Sequence, residues 1–136
     1  MNLVENSRAL IGVVHLPPLP GSPVDGPGFN GCLDRALIDA EALAEGGADA
    51  VIVENLGDAP FEPGAVEPHV VAMLSVIARE IRARFGDRLS VGVNALRNDA
   101  AGALGAAAAA GARFVRVNVH TGAMVTDQGL IQGRAR

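Results

Sequence analysis

The chain has 136 residues, 49% hydrophobic and 19% charged, with four Phe, no Trp and no Tyr, the composition of a globular piece with an aliphatic core. A net charge of −4 and a pI near 5.2 leave no basic stripe to meet phosphates, so we expect neither nucleic acid nor an anionic membrane as partner. The single Cys32 has no internal disulfide partner, Met1 opens no signal peptide, and no apolar run approaches the roughly 20 residues of a membrane span; we expect a cytoplasmic protein without membrane insertion.

In chain order, residues 9–15 form an apolar run of the kind buried on both faces of a parallel sheet, a first strand ending at His15. Residues 16–30 are a loop rich in Pro and Gly, and Pro17-Pro18 must be extended or turning. The spacing then predicts a helix over 31–44, with Leu33, Leu37, Ala40 and Ala44 on its buried face, stopped by Gly46-Gly47. A second strand covers Ala50–Glu54, and the loop 55–67 after it is longer than a bare strand–helix connection requires. A helix follows over Pro68–Phe85, with Val70, Leu74, Ile77, Ile81 and Phe85 inward and a proline suited to its first turn. The third strand is Ser90–Asn94, and Asp99 can cap a slim alanine helix over Ala100–Ala110. Residues 114–118 read as a fourth strand and 120–128 as a polar, glycine-containing flap, after which a fourth helix is expected to open.

Residues 46–55 are echoed by 110–119: Gly47 falls on Gly111, Val51 on Val115, Val53 on Val117 and Glu54 on Asn118. Each copy is a helix end, a glycine stop and a buried strand, and the spacing makes one strand–helix unit roughly 32 residues. Eight such units would fill the roughly 250 residues of a (β/α)8 barrel, so the fold class expected is α/β, with parallel strands in spatial order 1-2-3-4 forming about half of a TIM barrel in one domain. The runner-up, an open doubly wound sheet, would reverse its strand order at a switch point.

Every predicted strand ends in a polar residue: His15, Glu54, Asn94 and Asn118. Parallel strands share their carboxyl edge, where α/β folds bind ligands, so these four side chains are expected on one rim. Side-chain alternation puts Val91, Val93, Val115 and Val117 toward the helices and Ile52, Glu54, Gly92, Asn94, Arg116 and Asn118 toward the barrel interior, while His15 can face either way.

The rim residues carry definite chemistry. Glu54, with Asp58 in the next loop, can supply a general base or oxygens for a divalent cation; alternatively Glu54 pairs with Arg116. His15 suits acid–base work near neutral pH or anchorage of the proline loop. Asn94 and Asn118 can orient a small polar metabolite, Arg97 can hold a carboxylate or phosphate by its planar fork, and Thr121, Thr126 and Asp127 can reach ligand from the flap. Asp99 reads better as a helix cap. No nucleotide fingerprint, zinc cluster or nucleophile elbow is present.

Four stretches taken together, residues 11–23, 53–61, 91–99 and 116–129, resemble the BtpA family over nearly the whole chain. The resemblance implies a TIM barrel, and either an enzyme of unassigned reaction or a non-catalytic biogenesis factor like the photosystem I factor through which the family is known. The chain departs from that pattern in lacking the second half of the barrel, including the usual phosphate site after strands seven and eight, which makes an inactive fragment a third expectation. A half-barrel exposes two raw sheet edges, so self-association through them is expected.

Overall fold

The computed structural model describes residues 8–135. Four strands, β1 (Ile11–His15), β2 (Ala50–Glu54), β3 (Ser90–Asn94) and β4 (Phe114–Val115), form one sheet in the order β1-β2-β3-β4, and every neighbouring pair is parallel. This is the sequential order expected, with no switch point. Three helices connect them: α1 (Gly28–Glu45), α2 (Pro68–Phe85) and α3 (Ala100–Ala110). Among the described residues no helix is long and apolar enough to cross a membrane.

The helices cover one face of the sheet, and alternation along the strands decides which. Val14, Val51, Val53, Val91 and Val93 pack in a single core with Cys32, Ala36 and Ala40 of α1, Leu74, Ile77 and Ile81 of α2, and Ala103, Ala106, Ala107 and Ala110 of α3. Valine suits these strands because its branched side chain packs well on a pleat buried beneath helices. The alanines let α3 lie close to the sheet, as expected, and the cost is that its one large apolar residue, Leu104, faces outward and is 58% exposed. The α1 face is the predicted one in part: Ala40 is buried as expected, Cys32 and Ala36 are buried with it, and Leu33, Leu37 and Ala44 are partly buried and pack against the same core. For α2 the predicted face is the buried one.

Backbone conformation explains the repeat. Gly47 (φ 88°) and Gly111 (φ 70°) both take the left-handed conformation that ends a helix before the next strand, a position at which any side chain would be strained. The copies then diverge at β4. Its ladder to β3 includes Arg113 N–H to Val91 O (2.8 Å) and Arg116 N–H to Val93 O (3.0 Å), but the strand stops at Val115 instead of running to Asn118. The Asn98 side chain captures the backbone of Val119, donating to its carbonyl (3.1 Å) and accepting from its N–H (2.8 Å), and so draws the chain off the sheet.

Beyond this point the expected flap and helix opening are replaced by an antiparallel hairpin, β5 (Ala123–Thr126) and β6 (Gly129–Gln132). Asp127 and Gln128 make a two-residue turn, Gly129 takes φ 91°, and the Thr126 hydroxyl bridges the turn by donating to Gly129 O and accepting from Gln128 N–H. Met124, Val125, Leu130 and Ile131 supply strand-forming side chains, but only Ile131 is buried.

Cys32 lies under the proline loop, its thiol 3.5 Å from Pro18 O. Burial, and then the negative charge of Asp58, push that thiol above its ordinary 9.0. The unfolded chain therefore gives up this proton first, so the folded state keeps its full stability below about pH 9 and loses part of it as pH rises toward the folded value. Denaturant midpoints at pH 7 and pH 10 should differ more in the wild type than in Cys32→Ala; an equal difference would contradict this.

Candidate functional site

Sheet register builds the rim. His15 stands opposite Glu54 and Glu54 opposite Asn94; β3–β4 pairing sets Gly92 against Phe114, so two residues on, Arg116 lies level with Asn94. The result is a row His15–Glu54–Asn94–Arg116 across all four strands. The repeat had matched Glu54 with Asn118, but the stagger of β4 places Arg116 in the row and Asn118 one layer beyond it. Val13, Ile52, Gly92 and Phe114 form the layer beneath, and any side chain on Gly92 would run into the Phe114 ring. His15 belongs to this open face, since Gly12, of opposite parity, meets Leu43 of α1.

Glu54 is the centre of the row. Its side chain is 5% exposed, whereas those of His15 and Arg116 at the two ends are 53% and 49% exposed. Oε2 accepts from Asn94 Nδ2 (2.6 Å) and from Arg116 (2.8 Å), and Oε1 faces His15 Nε2 at 3.6 Å. Asn94, 1% exposed, donates also to Asn118 Oδ1 (3.3 Å). A buried carboxylate costs free energy unless paired, and here a cation and an amide both satisfy one of its oxygens. The other faces a histidine, beyond hydrogen-bond length. Thus the expected ion pair with Arg116 is present on one oxygen of Glu54, while the other oxygen is turned to His15.

Asp58 is buried too, but both of its oxygens tie loops together. Oδ1 accepts from Leu19 N–H (2.8 Å) and Oδ2 from Asn55 Nδ2 (3.1 Å), while Asn55 Oδ1 accepts from Leu96 N–H (2.8 Å). The loops after β1, β2 and β3 are thereby joined through two residues. Asn55 was not singled out from sequence; its adjacency to the strand-end Glu54 was the available signal. Gly57 completes the clamp, for a Cβ there would overlap the Pro17–Pro18 peptide.

Arg97 and Asp127 meet each other at 3.3 Å, with the Arg97 guanidinium 5.9 Å from the Phe61 ring. Asn98 holds the base of the hairpin through Val119 and through Gln132 O (3.3 Å). Thr121 is exposed on the approach to the hairpin and Thr126 caps its turn. Asp99 caps α3 by accepting from Gly102 N–H (2.8 Å), as expected, and also holds Val66 N–H (3.0 Å). Among the described residues no group of three or more His, Cys, Asp or Glu is placed to hold a metal ion. Asn98→Ala should raise amide exchange across the hairpin by about 10- to 100-fold while leaving β1, β2 and β3 protected, because it removes the bond to Gln132 O and the two bonds that hold Val119 on the approach to the hairpin. Uniformly unchanged exchange would show that the hairpin is held elsewhere.

Comparison with known proteins matches the BtpA family over residues 6–136. Photosystem I biogenesis protein BtpA of Synechocystis is 49% identical over 96% of this chain and 45% of its own length. An uncharacterized protein of Pyrococcus horikoshii is 46% identical over 96% of this chain and 49% of its own. An uncharacterized mitochondrial protein of Caenorhabditis elegans is 28% identical over 98% of this chain and 50% of its own. The chain spans about half the length of the curated relatives it matches. With its strand-end row, its parallel order and these matches in agreement, the chain belongs to the BtpA family.

Proposed function

We propose that the four parallel strands are one half of a TIM-type (β/α)8 barrel, in one domain, and that their carboxyl-end rim binds a small polar or phosphorylated metabolite on which Glu54 acts as the acid–base group. One observation carries this reading: the Glu54 carboxylate is buried mid-row, held from one side by Asn94 and Arg116, with its second oxygen turned to a half-exposed histidine. A base prepared in this way has a fixed orientation and one free oxygen, the geometry needed to take a proton from a bound hydroxyl or an activated carbon. His15 exchanges the proton with solvent or substrate, and Arg116 balances the charge while Glu54 is ionised. Asn94 and Asn118 offer a line of amides for substrate oxygens.

In this scheme Asp58 is a positioning residue, acting through the loops it clamps. Arg97, Thr121 and Asp127 contribute from the loop and hairpin above the rim, where Arg97 can exchange Asp127 for an anionic group on the metabolite. No step is routed through a metal ion.

A non-catalytic assembly role, like that in the name of the Synechocystis relative, is favoured by one feature. Met124, Val125 and Leu130 leave the hairpin with an exposed apolar surface. Ligand-observed NMR against a panel of sugars, sugar phosphates and small hydroxy acids separates the two. The metabolite reading predicts saturation transfer to at least one class, lost in Asn118→Leu and retained in Val125→Ser. No transfer from any class would remove it.

A further inference from the structure

The hydrogen bonds of the rim fix which of its polar atoms are left for a ligand. A carboxylate only accepts, so Asn94 must present Nδ2 to Glu54 Oε2 (2.6 Å), and that same nitrogen then meets the acceptor of Asn118, Oδ1 at 3.3 Å. The Asn118 Nδ2 donors are thereby left without a partner among the described residues. Arg116 commits Nη1 to Glu54 Oε2 (2.8 Å), and its remaining nitrogens have no partner among the described residues either. Donors are therefore left at the β4 end of the row, and acceptors, Glu54 Oε1 and Asn94 Oδ1, in its middle. Because Arg116 touches Glu54, a ligand oxygen held by the other guanidinium nitrogens lies only a bond or two from an atom over Oε1.

We infer that this arrangement serves the enolisation of a neutral 2-hydroxy aldehyde or ketone, an aldose or ketose, with its carbonyl oxygen on Arg116 and Asn118 Nδ2 and the C–H of the adjacent hydroxyl-bearing carbon over Glu54 Oε1. The inference rests on the acid–base reading of Glu54 and names the substrate class. Charge decides for a carbonyl over a carboxylate. Each guanidinium at the rim already faces a carboxylate, Arg116 that of Glu54 and Arg97 that of Asp127, so an anion bound on Arg116 would set a second negative charge beside Glu54. A carbonyl brings no charge at first. Glu54 Oε1 takes the proton, the C–H electron pair becomes the C=C bond, and the carbonyl π pair moves to the oxygen on Arg116. One negative charge thus passes from the carboxylate to the enediolate oxygen, and Arg116, placed against both, balances it before and after the transfer. Glu54 then returns the proton to the former carbonyl carbon, the hydroxyl proton crosses between the two neighbouring oxygens, and the product is the isomeric sugar, with no co-reactant. His15, half exposed and 3.6 Å from Oε1, lets the captured proton exchange with solvent.

Hydrogen exchange in D2O tests this. The chain is incubated with short-chain aldoses and ketoses, free or carrying a terminal phosphate, and with the matching 2-hydroxy acids, while proton NMR follows the hydrogen on the hydroxyl-bearing carbon. At least one aldose or ketose should lose that signal about 100-fold faster than in buffer, and no hydroxy acid should. Glu54→Gln should return the rate to that of buffer while saturation transfer from the same sugar persists. Arg116→Gln should lower the rate about 100-fold and binding less than about 10-fold, because the guanidinium acts on charge that reaches the substrate only in proton transfer. Saturation transfer without exchange in any aldose or ketose overturns the inference and leaves the metabolite reading standing. Exchange confined to hydroxy acids, or binding that falls as far as the rate in Arg116→Gln, overturns it too. The wild-type measurements decide even if a variant fails to fold, and no saturation transfer from any class removes both readings.

Discussion

Exchanging Glu54 for glutamine should lower turnover by about 100- to 10,000-fold while costing less than about 1 kcal/mol of stability. The amide keeps the shape, and its oxygen can still accept from Asn94 and Arg116. What vanishes is the negative charge opposite Arg116, and that guanidinium is half exposed, so water replaces much of the lost interaction. What also vanishes is the base. Glu54→Leu should behave differently, because Asn94, 1% exposed, then loses its shortest hydrogen bond; a loss of about 2–4 kcal/mol is expected. Thermal melts of both variants beside a turnover assay on the bound metabolite class check the pair. A glutamine variant that keeps full function contradicts the acid–base role, and one that melts as early as the leucine variant shows that Glu54 is chiefly structural.

Asp58→Ala should do the reverse. Two donors, Leu19 N–H and the Asn55 amide, lose a charged acceptor in a buried position, and hydrogen bonds to charged groups contribute about 1.5–3 kcal/mol each. A loss of about 3–5 kcal/mol is expected, a large share of the roughly 5–15 kcal/mol by which domains are stable. Because Asn55 also holds Leu96, the loops after all of the first three strands should loosen together. Urea denaturation checks the magnitude, and amide exchange at Leu19 and Leu96 checks the mechanism. A change below about 1 kcal/mol would mean that the clamp is dispensable and would return Asp58 to the chemistry.

The contrast between Glu54 and Asp58 shows what local pattern conveys. Position at the end of a buried strand was enough to put His15, Glu54 and Asn94 on one rim, and alternation was enough to turn Arg116 toward Glu54, because both follow from the two-residue period of a strand. Asp58 lies in a loop, where no period exists, and its partners Leu19 and Asn55 are known only once three loops have folded together. Asn98 is the same case. Its amide matters because Val119 arrives there, and its capture of Val119 is also what shortens β4. The register of β4 was out of reach for a related reason: the repeat aligns sequences, whereas the stagger between strands is a property of the sheet, and it sets Arg116 in place of Asn118 in the row. The orientation of His15 needed one tertiary contact, Gly12 against Leu43, to resolve. The hairpin was missed because most of its apolar residues face solvent, so no buried stripe announces it.

The central claim is that the row His15–Glu54–Asn94–Arg116, with Asn118, is a ligand site. The most direct measurement is a backbone and side-chain amide NMR titration with the metabolite class that gives saturation transfer. Shifts are expected to centre on His15, the Asn94 and Asn118 side chains and Arg116, and to be lost in Asn118→Leu. Shifts confined instead to the groove lined by Ala101, Leu104 and Leu130, or shifts that persist in Asn118→Leu, would contradict it.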